Sequence, residues 1–311
     1  MAAGRAGMRL VSRRTASVVN SVQYAWEPSI DRGKGWTMPM AGTTTVERVA
    51  ALGAIVHGLE LRDLSDPQVA TVEELVYEHQ VIFFRNQHLT PDEQRMLASR
   101  LGVLRVPEPQ DVLGITDPLQ VLERVEGSTA QTDFWHTDVP NAQVPPVMAI
   151  LQAVVVPEIG GDTAWATMYG LYDSLSPAMR AFCETLHGVH TSEAAQAYFA
   201  TFGPEAQARI ATANPTQYHP IVQEHPRTGR KLLYLGASMA KIAELNPREN
   251  ELVLDHLRRG IDDPNLQVRW RWSPGDVAIW DERATAHRGL SDHYAFDAHR
   301  RLHSVYVYAR D

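Results

Sequence analysis

The sequence predicts a mainly β domain, a sandwich or jelly roll decorated by helices. Short strand-like apolar runs recur along most of the 311 residues. Helical patterns fall early in the chain and in one middle insert, and they do not alternate cleanly with strands as βαβ units. Neither common Gly-rich nucleotide loop is present, so a doubly wound sheet is disfavoured.

The elements follow in order. Gly53–Leu61 reads as an early strand. Asp66–His79 has helical spacing, with Val69, Val72, Leu75 and Val76 on one side. Gln80–Phe84 is a short, strongly apolar strand. Thr90-Pro91-Asp92-Glu93 combines a cap residue, Pro at the first helical position and Glu where a capping box needs it, so it opens a helix to about Leu101. Asn246-Pro247-Arg248-Glu249 repeats that signal and opens a helix to about Arg259, with Gly260 as its stop. Further strands are expected at Leu119–Val125, Met148–Val155, Thr163–Ala166, Leu232–Leu235, Val268–Trp272, Asp276–Trp280 and Leu302–Tyr308. Further helices are expected at Pro177–Leu186 and Ser192–Phe202. The span Arg105–Pro118 holds three Pro and no clear element; it reads as an active-site lid or a plain surface loop.

Composition bounds the function. With 44% hydrophobic and 21% charged residues the chain is not globally disordered. A formal net charge of -8 supplies no basic field for nucleic acid. No apolar run approaches the roughly 20 residues that cross a bilayer. Cys183 is the only cysteine, which excludes an intrachain disulfide and a multi-thiolate metal site. A cytoplasmic protein is therefore expected. The first 26 residues carry Arg5, Arg9, Arg13 and Arg14 with no acid before Glu27. They read as a loosely ordered tail or, alternatively, a transit peptide.

The chemistry-bearing residues are His136 and Asp138, two apart, with the distant His287. On a strand, residues two apart project from one face. Two imidazoles and one carboxylate with open positions suit a non-haem Fe(II) that also binds a co-substrate and O₂. A lone His-x-Asp triplet is weak evidence, and its flanks strengthen it. Trp135 precedes it; Gly160-Gly161-Asp162-Thr163 follows; Trp280-Asp281-Glu282-Arg283 precedes His287, and Arg300 lies beyond. With Phe83-Phe84-Arg85-Asn86-Gln87, His219-Pro220, His225-Pro226, Thr228-Gly229-Arg230-Lys231 and Pro274-Gly275-Asp276, this ordered series resembles the taurine dioxygenase (TauD/TfdA-like) family of Fe(II)/2-oxoglutarate dioxygenases.

The resemblance runs from about Gly53 to the C-terminus and implies a double-stranded β-helix (jelly-roll) core. It implies one domain over residues 45–311, with a helical insert at about 169–212 and the tail of residues 1–44 outside it. His136, Asp138 and His287 would be the iron ligands, and 2-oxoglutarate and O₂ the co-substrates. Oxidative decarboxylation to succinate and CO₂ would be coupled to C–H hydroxylation of a small organic substrate. Halogenating enzymes with similar chemistry lack the carboxylate ligand, so Asp138 favours oxygen transfer. Arg300 would bind the far carboxylate of 2-oxoglutarate through its fork, and Thr163 would donate to the same co-substrate. Arg301 is the rival, but adjacent strand residues face opposite ways, and His303 three after Arg300 sets the register on Arg300. A homo-oligomer is expected, with no nucleic-acid or membrane partner.

The sequence also departs from the family pattern. Taurine- and alkylsulfate-using relatives carry a second Arg four residues after the first, where this chain has Ser304. Arg300, Leu302, Ser304 and Tyr306 would share the inward face. Where those relatives place a substrate-contacting His after Leu-Gly-x-Leu, this chain has Arg105 after Leu101-Gly102-Val103-Leu104. The substrate is then not a small sulfonate or sulfate, or its anion is read elsewhere. Val139 is expected to touch substrate through its backbone, and Ser304 to face it. Trp135 reads as a packing residue, Asp281 and Arg283 as a structural ion pair, and His219 and His225 as turn residues. A sulfonate or alkylsulfate dioxygenase with a non-standard anion site is one competing reading. A non-catalytic jelly-roll binding protein is the other, and the intact ligand set with Arg300 speaks against it.

Overall fold

In a computed structural model the described residues are 44–111, 114–124, 133–140, 142, 144–191, 203–213, 216–236, 239–296 and 299–310. The expected tail, but for Thr44, and the helix expected at Ser192–Phe202 lie outside them. The described residues open with β1 (Thr45–Arg48), β2 (Ala54–His57), α1 (Asp66–His79), β3 (Val81–Phe84) and α2 (Pro91–Leu101). Next come β4 (Val103–Leu104), α3 (Glu108–Asp111), β5 (Leu119–Arg124), β6 (Met148–Val155), β7 (Thr163–Thr167), α4 (Met168–Ser174) and α5 (Pro177–Cys183). The expected insert then holds β8 (His187–His190) and α6 (Pro204–Ala213), so it mixes strand with helix. After it come β9 (Gln217–Pro220), β10 (Val222–Glu224), β11 (Lys231–Leu233), β12 (Met239–Ile242) and α7 (Pro247–Ile261). The chain closes with β13 (Gln267–Trp270), β14 (Val277–Asp281), β15 (Thr285–Gly289) and β16 (Arg300–Tyr308).

The fold is mostly β. The larger sheet runs β1-β2-β3-β14-β6-β16-β4, with β5 also paired to β16. A smaller sheet, β13-β7-β15, faces it. The facing is visible in the rings between them: Phe83 stacks on Trp270 at 4.1 Å, and Trp165 meets Phe83 at 5.4 Å and Trp280 at 5.6 Å. Period-2 alternation divides the central strands between two cores. Val81, Phe83, Ala149, Leu151, Ala278, Trp280 and Leu302 face the smaller sheet. Ile82, Phe84, Ile150, Val277, Ile279, Val305 and Val307 face α1 and α2. Burial on both faces is why β3, β6 and β14 read as continuous apolar runs. A third core gathers α4, α7, β11 and β12.

The caps read from sequence are present. Thr90 Oγ1 accepts from the Glu93 N–H at 3.3 Å while Glu93 accepts from the Thr90 N–H at 2.7 Å. Asn246 Oδ1 accepts from the N–H groups of Arg248 and Glu249, both at 3.1 Å. Each such cap is worth about 1 kcal/mol.

Gly260 departs from expectation: it lies inside α7, which continues to Ile261. A Cβ there would meet Leu171 Cδ1 of α4 at 2.5 Å, so this glycine allows two helices to approach closely and does not stop one. The span 105–118 also differs, since it contains the short α3. Its Gln110 Nε2 donates to Gln120 on β5 at 2.7 Å. Among the described residues no helix is long and apolar enough to cross a membrane.

Candidate metal centre and co-substrate site

His136, Asp138 and His287 come together from distant parts of the chain, with one donor atom each all within 4.8 Å of one another. His287 lies on β15, a strand the sequence did not reveal, opposite Trp165 of β7. His136 meets it in an isolated bridge: the His136 N–H donates to His287 O at 2.9 Å, and the His287 N–H to His136 O at 2.7 Å. The His-x-Asp triplet is thus not on a regular strand. Past His136 the chain bends, and Val139 has φ +46°. For a β-branched residue that left-handed conformation is strained, and surrounding contacts must hold it. They do so on both sides. The Asp138 N–H donates to Glu282 Oε2 at 3.0 Å, and Pro140 O contacts His219 Nε2 at 3.0 Å.

The donor set fits a metal. Burial, and then the charge of His136, push the His287 imidazole down to about 3, which keeps it neutral and available as a ligand. Its Nε2 lies 3.4 Å from Asp138 Oδ2, and His136 Nε2 lies 3.7 Å from Asp138 Oδ1. His136 Nδ1 bonds Phe134 O at 2.9 Å, which fixes the tautomer and leaves Nε2 as the donor toward a metal. Behind the centre, Glu282 is buried; burial first, and then the Asp138 charge, raise its pKa well above the usual carboxylate range. Its Oε1 has no hydrogen-bond partner among the described residues. Deeper still lie His190, His219 and Tyr234, with the His190 ring 5.1 Å and 5.6 Å from the other two. Burial, with His219 second, pushes His190 down to about 4.

Thr163 and Arg300 also meet. On β7, Thr163 is two residues, about 7 Å, along from the position opposite His287 and on the same inward face. Arg300 Nε donates to Gly161 O at 2.9 Å, and its Nη2 to Thr163 Oγ1 at 3.4 Å. Gly161 has φ +73°, and a Cβ there would lie 3.2 Å from Arg300 Cδ, so the Gly-Gly turn permits this approach. The turn is held by Asp292 Oδ1, which accepts from the Gly161 N–H at 2.9 Å. Arg269 ties Asp292 to Asp162 at 2.9 Å and 2.6 Å. Arg301 points the other way and pairs with Glu123 at 2.6 Å, as strand alternation requires. Ser304 is buried on the inward face with Leu302 and Tyr306, opposite Gln120 of β5 and Leu151 of β6.

Some minor expectations change. Asp281 pairs with the buried His225 at 3.0 Å, and takes only backbone N–H groups from Arg283 and Ala284. His225 is a turn residue as expected, its Nδ1 accepting from the Arg227 and Thr228 N–H groups at 3.2 Å and 3.3 Å, and its pair with Asp281 also braces the turn leading to β15. His219 lies on β9. Trp135 packs at the edge of the third core and donates to Asp262 at 2.9 Å. Sequence reading missed two residues of this region. Trp272 Nε1 donates to Thr163 Oγ1 at 3.0 Å, and Glu282 holds the metal loop. Glu282 stood within a quoted motif, but nothing in its spacing signalled contact with Asp138.

The family model for the taurine catabolism dioxygenase TauD, TfdA family matches residues 43–306. The chain is 32% identical over 263 residues to an alkylsulfatase of Acinetobacter baylyi, covering 80% of each. It is 33% identical over 269 residues to an alpha-ketoglutarate-dependent sulfate ester dioxygenase of Pseudomonas putida, covering 83% of this chain and 87% of that one. A solved taurine dioxygenase from Burkholderia xenovorans shares the fold with a TM-score of 0.72 at 31% identity, covering 86% of this chain and 91% of that one. The chain belongs to the taurine catabolism dioxygenase TauD, TfdA family. Fe(II), 2-oxoglutarate and O₂ are the cofactors of that family.

Proposed function

We propose that this protein is an Fe(II)/2-oxoglutarate-dependent dioxygenase that couples decarboxylation of 2-oxoglutarate to C–H hydroxylation of a small organic substrate. The convergence of His136, Asp138 and His287 on one point carries the reading, with these three as the iron ligands. Bound Fe(II) would supply the oxygen chemistry, leaving the protein to hold, orient and exclude. The imidazoles of His136 and His287 and the Asp138 carboxylate hold the cation. Arg300 and Thr163 bind the far carboxylate of 2-oxoglutarate, which fixes its keto-acid end toward the metal. The facing sheets, wound as a double-stranded β-helix, exclude water through the Trp165, Trp270 and Trp280 cluster.

Substrate meets the loop at Val139 and the inward face at Ser304. Ser304 offers one hydroxyl and no positive charge, which argues against a small sulfonate or sulfate bound there. The sulfate ester dioxygenase and the alkylsulfatase among the relatives favour a second reading, an anionic substrate read by another cation. The single Cys183 fits a reducing, cytoplasmic setting.

Succinate formation from 2-oxoglutarate tests the proposal. The protein would be loaded with Fe(II) anaerobically, then given O₂ with sulfonates, alkyl sulfates, aryloxy acids or neutral small molecules. Stimulation by one class is expected. No succinate under any condition, with iron confirmed bound, overturns the enzyme reading. Efficient turnover of taurine or short alkyl sulfates overturns the exclusion based on Ser304.

A further inference from the structure

We propose that Trp272 is a positioning residue that turns the Thr163 hydroxyl into an obligate donor toward the far carboxylate of 2-oxoglutarate. The proposal rests on the reading of Thr163 and Arg300 as that carboxylate's site.

A threonine hydroxyl has one proton to give and two lone pairs with which to accept. In this structure both acceptor directions of Thr163 Oγ1 are used. Trp272 Nε1 donates to it at 3.0 Å, and Arg300 Nη2 at 3.4 Å. An indole N–H can only donate, so the Trp272 contact has one polarity. The proton of Thr163 then has to leave the oxygen in the remaining direction, and it finds no acceptor among the described residues. Thr163 is 3% exposed and Trp272 5% exposed, so bulk water is not the partner. A buried donor without an acceptor is destabilising, and a ligand oxygen would relieve that cost. A carboxylate takes both this proton and the positive charge of Arg300.

The indole is itself fixed. Its ring lies 6.3 Å from that of Trp165, inside the core between the facing sheets. Thr163 is held by backbone pairing on both sides, opposite Trp270 of β13 and Gly289 of β15. Neither partner needs to reorganise when the co-substrate arrives, so the hydroxyl is aimed before binding. A Phe at position 272 would keep most of the packing and remove only the N–H. The Thr163 hydroxyl would then be free to turn its proton away from the carboxylate.

Calorimetric titration of 2-oxoglutarate into the anaerobic Mn(II)-loaded protein measures binding without turnover. Trp272→Phe should weaken it roughly three- to tenfold, the loss of about one hydrogen bond. The KM for 2-oxoglutarate of the Fe(II) enzyme should rise by the same factor, with kcat at saturating 2-oxoglutarate unchanged. In a Thr163→Val background the same Trp272→Phe change should cost nothing further, because the hydroxyl it aims is gone. Unchanged affinity in Trp272→Phe overturns the proposal, as does an equal loss in both backgrounds, which would mean packing alone. If Trp272→Phe does not fold, the Thr163 variants decide. Thr163→Ser should stay within about twofold of wild type and Thr163→Val should weaken binding, whereas wild-type affinity in Thr163→Val overturns the proposal. Wild-type protein that neither binds 2-oxoglutarate nor forms succinate overturns the reading beneath it, an outcome distinct from a failure confined to the variants.

Discussion

The two ends of the site are built differently. At the co-substrate end each group is already tied: Arg300 to Gly161 and Thr163, Thr163 to Trp272, and the Gly-Gly turn to Asp292 and Arg269. At the metal end two imidazoles, a carboxylate and the buried Glu282 crowd together, and His287 Nδ1 and Glu282 Oε1 have no hydrogen-bond partner among the described residues. The end proposed for the co-substrate is held in place before any ligand arrives, with only the Thr163 proton left to give. The metal end is costly as it stands and gains from a cation, so metal binding there should also add folding stability.

The most severe way to break the metal end is Asp138→Ala. It should lower succinate formation by at least about a hundredfold, since loss of a ligand exceeds the usual ten- to hundredfold cost of a supporting residue. Wild-type-like turnover would remove the ligand assignment.

Acid probes the wall behind the metal loop. His190 has a folded-state pKa of about 4, below its ordinary 6.5, so the unfolded chain takes the proton more readily. Its contribution to stability is complete above pH 6.5 and is lost as the pH falls from 6.5 toward 4, to a total of about 2–3 kcal/mol. Melting temperatures across that range should fall less steeply in His190→Asn than in wild type. Parallel profiles would show that His190 carries no part of the acid sensitivity.

At the co-substrate end, Arg300→Ala should raise the KM for 2-oxoglutarate by roughly ten- to fiftyfold, the worth of a charge-assisted contact, and leave metal affinity intact. Glu282→Ala should do the converse: about tenfold weaker metal binding, read by Fe(II) or Mn(II) titration, with little change in 2-oxoglutarate KM once metal is saturating. If each variant damaged both affinities equally, the two ends would be one cooperative unit. The smallest effect belongs to Arg301→Ala. Its partly exposed, solvent-screened pair with Glu123 should leave the melting temperature almost unchanged, with KM unchanged. A KM effect at Arg301 equal to that at Arg300 would invert the strand register.

Much of this was legible in the sequence. The α1 and α2 boundaries follow from capping residues and 3.6-residue periodicity, which are local signals. β6 was readable because both its faces are buried. The grouping of His136, Asp138 and His287 and the Thr163–Arg300 contact were readable because motif order constrains chemistry even without geometry. Other features were not. β15 is five residues long, Thr285–Gly289, with a single imidazole facing inward, too short and too mixed to show a period. Gly260 carried a helix-stop signal that lost to tertiary packing, since only the proximity of Leu171 explains a glycine there.

By itself the sequence determined the class of chemistry and the elements that carry it, because residue type and local periodicity are written along the chain. Only the tertiary structure decided that His287 faces His136, that Glu282 supports Asp138 and that Trp272 aims Thr163. Those contacts join residues more than a hundred positions apart. They are set by the packing of two sheets against each other, which no local pattern encodes.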